Sequence, residues 1–251
     1  MTDATLVRYD VRDAVATLTL DSPHNRNALS AALVTQLFDG LDRAAADEEA
    51  RVVVVRSADR VFCSGADLKE AGAGGMDEGA RALVALQRRL VTHPKPVVTR
   101  LAGPVRAGGL GIVAASDVVL CSDDVTFAFT ESRLGLAPAV ISLTVLPRLT
   151  SRAAADTFLT GRTFGADEAA TMGLVTRSVP PEQLDAAVEE ACEGLRQAHP
   201  QGLRETKALL ARDLVAHIDA RAEEMASLSS RLFASDGARE AMAAFLARPR
   251  G

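Results

Sequence analysis

The run Val52 to Val55 constrains the fold more than any other feature, because four consecutive β-branched residues leave no polar side chain to face water on either side. Such a segment reads as a strand covered on both faces, the environment of a parallel sheet packed between helices. Its surroundings agree. Ser30 is placed to cap a helix whose apolar face is Leu33, Val34, Leu37, Phe38 and Leu41 and which ends near Asp47. A helix carrying Leu83, Leu86 and Leu90 leads to a strand over 96–101, and a short Ala-rich helix after Gly109 leads to another over 117–120. Upstream, an extended piece around Leu6 to Tyr9 and the alternation of Ala16, Leu18 and Leu20 with threonines read as a β-hairpin. Each crossover helix needs a sheet face to cover, so the fold class is a layered α/β core. From Leu143 onward strand signals fade, and 180–200 and 202–248 read as amphipathic helices. The expected organisation is a core over 1–190 and a helical region over 191–251 whose apolar stripe serves intrachain packing or subunit contact. Residues 71–79, with four glycines and little to bury, read as a loop.

Composition narrows the function. A chain of 251 residues with 48% hydrophobic and 24% charged content can bury a sizeable core. A net charge of -5, one tyrosine and no tryptophan leave neither a basic stripe nor stacking platforms, which excludes a dedicated nucleic-acid binder. Cys63, Cys121 and Cys192 have no metal-type spacing, and the four histidines form no close pair, so no zinc site or disulfide framework is expected. The acidic amino-terminal stretch and the lack of a long apolar run point to a cytoplasmic protein with no membrane partner.

Three loops could carry chemistry. VFCSGADLKE, over 61–70, follows the Val52 to Val55 strand; Gly65 supplies backbone freedom and Ala66 is too small to shield its own N–H, with a helical pattern starting at Asp67. LAGPVRAGGLG, over 101–111, again runs from a buried strand into an apolar helix and offers a second N–H near Gly108. Two such loops facing each other could hold one oxygen from both sides. In VTFAFTESRLGLAP, over 125–138, a strand rich in Phe and Thr ends at Glu131. There Phe127, Phe129, Leu134 and Leu136 would desolvate the carboxyl and raise its pKa toward a range suited to proton transfer, unless the residue caps a helix beside Arg133. Cys63 has no evident histidine partner, which disfavours nucleophilic catalysis. AGGLG lacks the spacing of a dinucleotide fingerprint.

In this order and at these separations the three segments resemble the crotonase, or enoyl-CoA hydratase/isomerase, superfamily, and TGRTFGADEAATMGLVTRSVP over 160–180 and DGAREAMAAFLARPR in the tail resemble its later segments. The resemblance implies a spiral of ββα units with a C-terminal helical trimerisation region, assembled as a homotrimer or a dimer of trimers, and an acyl-CoA thioester as ligand. It implies that the N–H groups of Ala66 and Gly108 hold the thioester oxygen and that Glu131 handles protons. Asp67, Leu68 and Gly111 would line the substrate site; Arg26 and Lys69 would meet the CoA phosphates, and Phe245 and Arg248 the nucleotide end. No metal, flavin or nicotinamide is implied; coenzyme A enters as part of the substrate. Two departures stand out. Hydratases of the family carry a second glutamate where this chain has Gly111, and a glycine-rich stretch where it has Ala139, Val140, Ile141 and Ser142. These departures resemble hydratases of branched or glutaconyl-type thioesters, including the methylglutaconyl-CoA type. The implied activity is syn hydration of a 2-enoyl-CoA, with double-bond isomerisation and silent acyl-CoA binding as the competing readings.

Overall fold

The structure is a computed structural model that describes residues 4–67, 70 and 76–247, apart from the side chains of residues 76, 245 and 246. Its elements run β1 (Val7–Arg12), β2 (Val15–Leu20), α1 (Ala31–Ala46), β3 (Val52–Ser57), α2 (Met76–Val91), β4 (Val97–Leu101), β5 (Val105–Arg106), α3 (Gly109–Ala115), β6 (Val118–Ser122) and β7 (Thr126–Ala128). They continue with α4 (Ala139–Val145), α5 (Ser151–Thr160), β8 (Thr163–Gly165), α6 (Ala166–Thr171), β9 (Arg177–Val179), α7 (Leu184–Gln197), α8 (Pro200–Phe233) and α9 (Asp236–Leu246). The main sheet has the order β1-β2-β3-β4-β6-β9, antiparallel only at the β1–β2 hairpin and parallel from β2 onward. Ser30 caps α1 by accepting from Leu33 N at 3.3 Å.

The unbroken valine run behaves as its composition demands. Val53 and Val55 enter the larger core together with Val97, Leu101, Val119 and Cys121. Val52 and Val54 point the other way, into a smaller cluster with Val98, Leu120 and four residues of α7, namely Leu184, Ala187, Val188 and Cys192. Period-two alternation therefore places apolar side chains on both faces of β3, and each face finds its own helical cover.

Several boundaries depart from the sequence reading. Two short strands, β8 and β9, lie beyond Leu143, where strand signals had faded; with three residues each they are too short to show an alternation. The expected loop over 71–79 lies outside the described residues as far as 75, and 76–79 already belong to α2. The tail forms two helices, since α8 ends at Phe233 and α9 starts at Asp236. Within the chain, α8 packs on α2 and α4. Its stripe is only partly used, because Leu209 and Leu210 stand 61% and 80% exposed. Among the described residues no helix is long and apolar enough to cross a membrane.

One polar tie anchors α8. Lys207 is buried, and its Nζ donates to Leu90 O at 3.0 Å, Lys95 O at 3.2 Å and Asp117 Oδ2 at 2.7 Å, while that same carboxylate oxygen accepts from Val97 N at 2.7 Å. Burial pulls the Lys207 pKa below the usual lysine range, opposed by the charge of Asp117. Removing one partner of a buried pair strands the other. Lys207→Ala is expected to cost on the order of 2–3 kcal/mol in chemical denaturation, discounted for the partly exposed Asp117. A loss below a few tenths would show that the tie contributes nothing.

Candidate active site

The site grows from a second, smaller ladder. Arg26 and Asn27 both adopt left-handed backbone, φ 57° and 53°, a conformation that asparagine tolerates better than most residues. The buried Asn27 side chain holds this turn, accepting from Ser22 N at 2.7 Å and donating to Val61 O at 2.9 Å. The turn is a template for the next loop. Ser64 N donates to Arg26 O at 3.1 Å, Ser64 Oγ to Asn25 O at 3.1 Å, and Leu29 N to Gly65 O at 2.8 Å. Leu29 bridges Ala66, and Cys63 bridges Val105, both in parallel sense. β5 then pairs in parallel with β7, Val105 opposite Phe127 and Arg106 opposite Ala128, and β8 closes the edge antiparallel.

Segments 25–29, 62–66, 104–107 and 126–128 thus lie side by side in one direction, and each leaves the ladder at the same end. Ligand groups gather at the carboxyl ends of parallel strands because loop amides and helix starts collect there. Ala66 is three residues past Cys63 and Gly108 three past Val105, so the paired register sets the two level. Contact follows. A Cβ placed on Gly108 would lie 3.8 Å from Ala66 N, and one on Gly65 would lie 3.6 Å from Gly108 N. Gly65 is required: its φ is +99°, and a Cβ there would come within 2.9 Å of Ala107 Cβ. Neither Ala66 N nor Gly108 N donates to any group among the described residues. Two adjacent, unspent N–H donors are the geometry that accepts a developing oxyanion.

Glu131 comes from the neighbouring segment. β7 stops at Ala128, three residues before the strand end that the sequence suggests, and Glu131 opens a single 3₁₀ turn, Glu131–Leu134. Ala107 N donates to Ala128 O at 3.2 Å, which ties the donor loop to the segment carrying the carboxyl. The aromatic cluster of Phe129 with Phe158 and Phe164 underlies this segment. Oε2 of Glu131 is buried without a hydrogen-bond partner. Burial pushes the Glu131 carboxyl up to about 7, opposed only by its own backbone N–H. Asp47, Asp77, Glu168, Glu193, Asp219 and Glu223 move the other way, each lowered first by a hydrogen bond to its carboxylate. Arg133 does not pair with it; Arg133 Nε donates to Thr160 O at 2.8 Å instead. Cys63 is buried and its thiol is pushed up to about 12, so it stays protonated and inert as a nucleophile.

The remaining expected site residues divide. Asp67 Oδ2 accepts from Asn25 Nδ2 at 3.1 Å, which joins it to the template turn rather than leaving it facing a ligand alone. Arg26 is exposed two backbone hydrogen bonds from Ala66, with no side-chain partner among the described residues. Gly111 is buried one turn along α3 from Gly108. Leu68, Lys69 and Arg248 lie outside the described residues. Phe245 belongs to the backbone of α9, whose Gly237 O would touch a Cβ on Gly135 at 2.9 Å, so the tail reaches the turn of Glu131. Asn27, Ser64, Gln87 and Thr144 were not singled out by sequence; only Gln87, a polar residue on the Leu83–Leu90 stripe, carried a visible signal. Among the described residues no group of three or more His, Cys, Asp or Glu side chains could hold a metal ion.

Comparison with known proteins converges on one family. The family described as Enoyl-CoA hydratase/isomerase matches residues 10–250. A solved enoyl-CoA hydratase from Mycobacterium avium superposes with a TM-score of 0.91 at 45% identity, covering 97% of this chain and 96% of that one. Hydroxycinnamoyl-CoA hydratase-lyase of Pseudomonas fluorescens is 32% identical over 219 residues, 80% of this chain and 76% of that protein. 4-chlorobenzoyl coenzyme A dehalogenase-2 of Arthrobacter sp. is 34% identical over 201 residues, 76% of this chain and 73% of that protein.

The state of Glu131 has a consequence for stability. A carboxyl raised from 4.5 to about 7 is neutral in both folded and unfolded chains at low pH, and the folded chain alone bears the desolvation cost once it ionises. Stability therefore falls as pH rises between these two values. Glu131→Gln is expected to melt with the parent near pH 4.5 and to exceed it at pH 8 by roughly 1–3 kcal/mol. Equal stability at both pH values would place the carboxyl in water.

Proposed function

The chain belongs to the enoyl-CoA hydratase/isomerase family, and from that premise we propose that it is an enoyl-CoA hydratase adding water in syn fashion to a 2-enoyl-CoA thioester. The observation that carries this reading is the Glu131 carboxyl, whose Oε2 is buried without a hydrogen-bond partner and whose pKa is pushed up to about 7, on the segment beside two unspent amides. In the proposed step Glu131 takes a proton from water while the water oxygen bonds to Cβ. The π electrons move through Cα to the thioester oxygen, which Ala66 N–H and Gly108 N–H hold as an enolate oxyanion. The enolate then collapses, Cα takes the proton back from Glu131, and the carboxylate is regenerated. One base can serve both transfers because they occur on one face of the substrate.

An amide pair of this kind is worth about 3–4 kcal/mol of barrier per donor removed, and a positioned acid–base group about 10²–10⁴ in rate. No cofactor beyond the coenzyme A of the substrate is needed, because the thioester acidifies Cα and the amides carry the charge. Arg26 and Lys69 are proposed to meet the CoA phosphates, with Phe245 and Arg248 at the nucleotide end. Gly111 and the Ala139–Ser142 stretch favour a branched or glutaconyl-type acyl group over a simple straight chain. Residues 191–251 are proposed to form the oligomerisation region of a trimer or dimer of trimers; the exposed Leu209 and Leu210 on α8 support that assignment.

The experiment follows conjugated-thioester absorbance of crotonyl-CoA, 3-methylglutaconyl-CoA and a 3-enoyl-CoA. Loss of absorbance from the first two is expected, rising with pH through about 7, and Glu131→Gln should lower kcat at least about 10²-fold with little change in ligand affinity. A gain of absorbance from the 3-enoyl-CoA alone would make the protein an isomerase, and binding without turnover would make it a carrier. Full activity in Glu131→Gln would remove Glu131 as the base.

A further inference from the structure

Gly111 sits three residues along α3 from the Gly108 donor, and its side-chain position is already occupied. A Cβ there would lie 2.9 Å from Gln87 Cδ, 3.0 Å from Gln87 Oε1 and 3.0 Å from Ile141 Cγ2. Gln87 is fully buried on α2 and its amide is spent on three sides. Nε2 donates to Leu83 O and Val140 O, each at 3.2 Å, and Oε1 accepts from Thr144 Oγ1 at 2.6 Å. Thr144 is also fully buried, and its hydroxyl lies 3.5 Å from Gly111 O. A flexible amide end would ordinarily step aside for one methyl group. This one cannot do so without giving up its three hydrogen bonds, which would leave the amide's own Nε2 and Oε1 without partners in the core, at about 1–3 kcal/mol for each group so stranded. The same helix contributes Leu83, whose Cδ2 would lie 3.2 Å from a Cβ on Gly108, so α2 forms the wall behind both positions.

We propose that the Gln87–Thr144 pair is a specificity-determining element that acts through position 111. It fills the volume any side chain at 111 would need, keeps an ionisable group from entering on the α3 side, and leaves Glu131 to act alone. Positions 87 and 111 are thereby coupled: glycine is required at 111 because glutamine stands at 87. A glutamate introduced at 111 finds no room in the present protein, however well its chemistry suits the reaction. This proposal rests on the reading of Ala66, Gly108 and Glu131 as the reaction centre, but its packing half stands independently.

The test is a double-mutant cycle read first by thermal melting of the full chain, which needs no activity. Gly111→Ala is expected to lower the melting temperature in the parent and to cost clearly less in the Gln87→Ala background, where only the Ile141 contact remains and alanine is the better helix former. An equal effect in both backgrounds, or no cost in the parent, overturns the coupling. The second readout is hydration of crotonyl-CoA. Gly111→Glu alone should lose at least about tenfold in kcat/KM, whereas Gln87→Ala/Gly111→Glu should recover at least about tenfold over it, with a second ionisation in the pH–rate profile. Coupled stabilities with no recovery and an unchanged profile leave the packing and overturn the specificity role. Coupled stabilities in a parent that turns over no enoyl thioester locate the failure in the assigned reaction instead, and the specificity role falls with it.

Discussion

The candidate site depends on the parallel register between 62–66 and 104–107. The Cys63–Val105 bridge, with Arg106 N donating to Cys63 O at 2.9 Å, sets Ala66 level with Gly108. The template turn at Arg26 and Asn27 holds the outer side of this pairing, and β7 holds the inner side. A backbone donor can face an incoming oxygen only if its own strand does not use it. Gly108 sits just past the last pairing of its segment, and Ala66, although bridged to Leu29, is joined to it through Gly65 O rather than through its own N–H.

Glu131 shows the complementary arrangement of charge. The amides offer unspent positive dipoles, while the carboxyl is desolvated with its Oε2 unpartnered, so that its ionised form is costly and its proton easily exchanged near neutrality. The arrangement is expensive in stability, and the surrounding packing sustains it: the Phe129 cluster and the contacts of α5 and α9 with the Glu131 turn restrain the segment that carries it. Residues of the buried machinery on the α3 side are neutral instead. Thr144 donates to Gln87, and the pair fills the space beside Gly111.

Much of this was legible in the residues. The valine run, the Ser30 cap and the helix–strand alternation predict the layered sheet because each depends on local pattern. Gly65, Ala66, Gly108 and Glu131 were visible as small or acidic residues at strand ends, and the family resemblance joined them. What escaped was set by tertiary contact. β8 and β9 are too short to show a period, and they form only because neighbours offer an edge. Asn27 reads as an ordinary loop asparagine until its two hydrogen bonds reveal that it holds the turn beneath Ala66. Gln87 interrupts an apolar stripe in plain sight, yet its role appears only when α2, α3 and α4 are packed together. The glycine at 111 likewise reads as a lost carboxylate in sequence and as a filled space in the structure.

The central claim is that Ala66 N–H and Gly108 N–H bind a single acyl oxygen, and the vibrational frequency of that carbonyl reports it directly. A crotonyl-CoA labelled with ¹³C at the thioester carbonyl, bound to the Glu131→Gln protein and observed by difference infrared spectroscopy, should show its C=O stretch shifted to lower frequency than in free solution, as two donors polarise the bond. A bound ligand whose carbonyl absorbs where it does in water, or higher, would contradict the account.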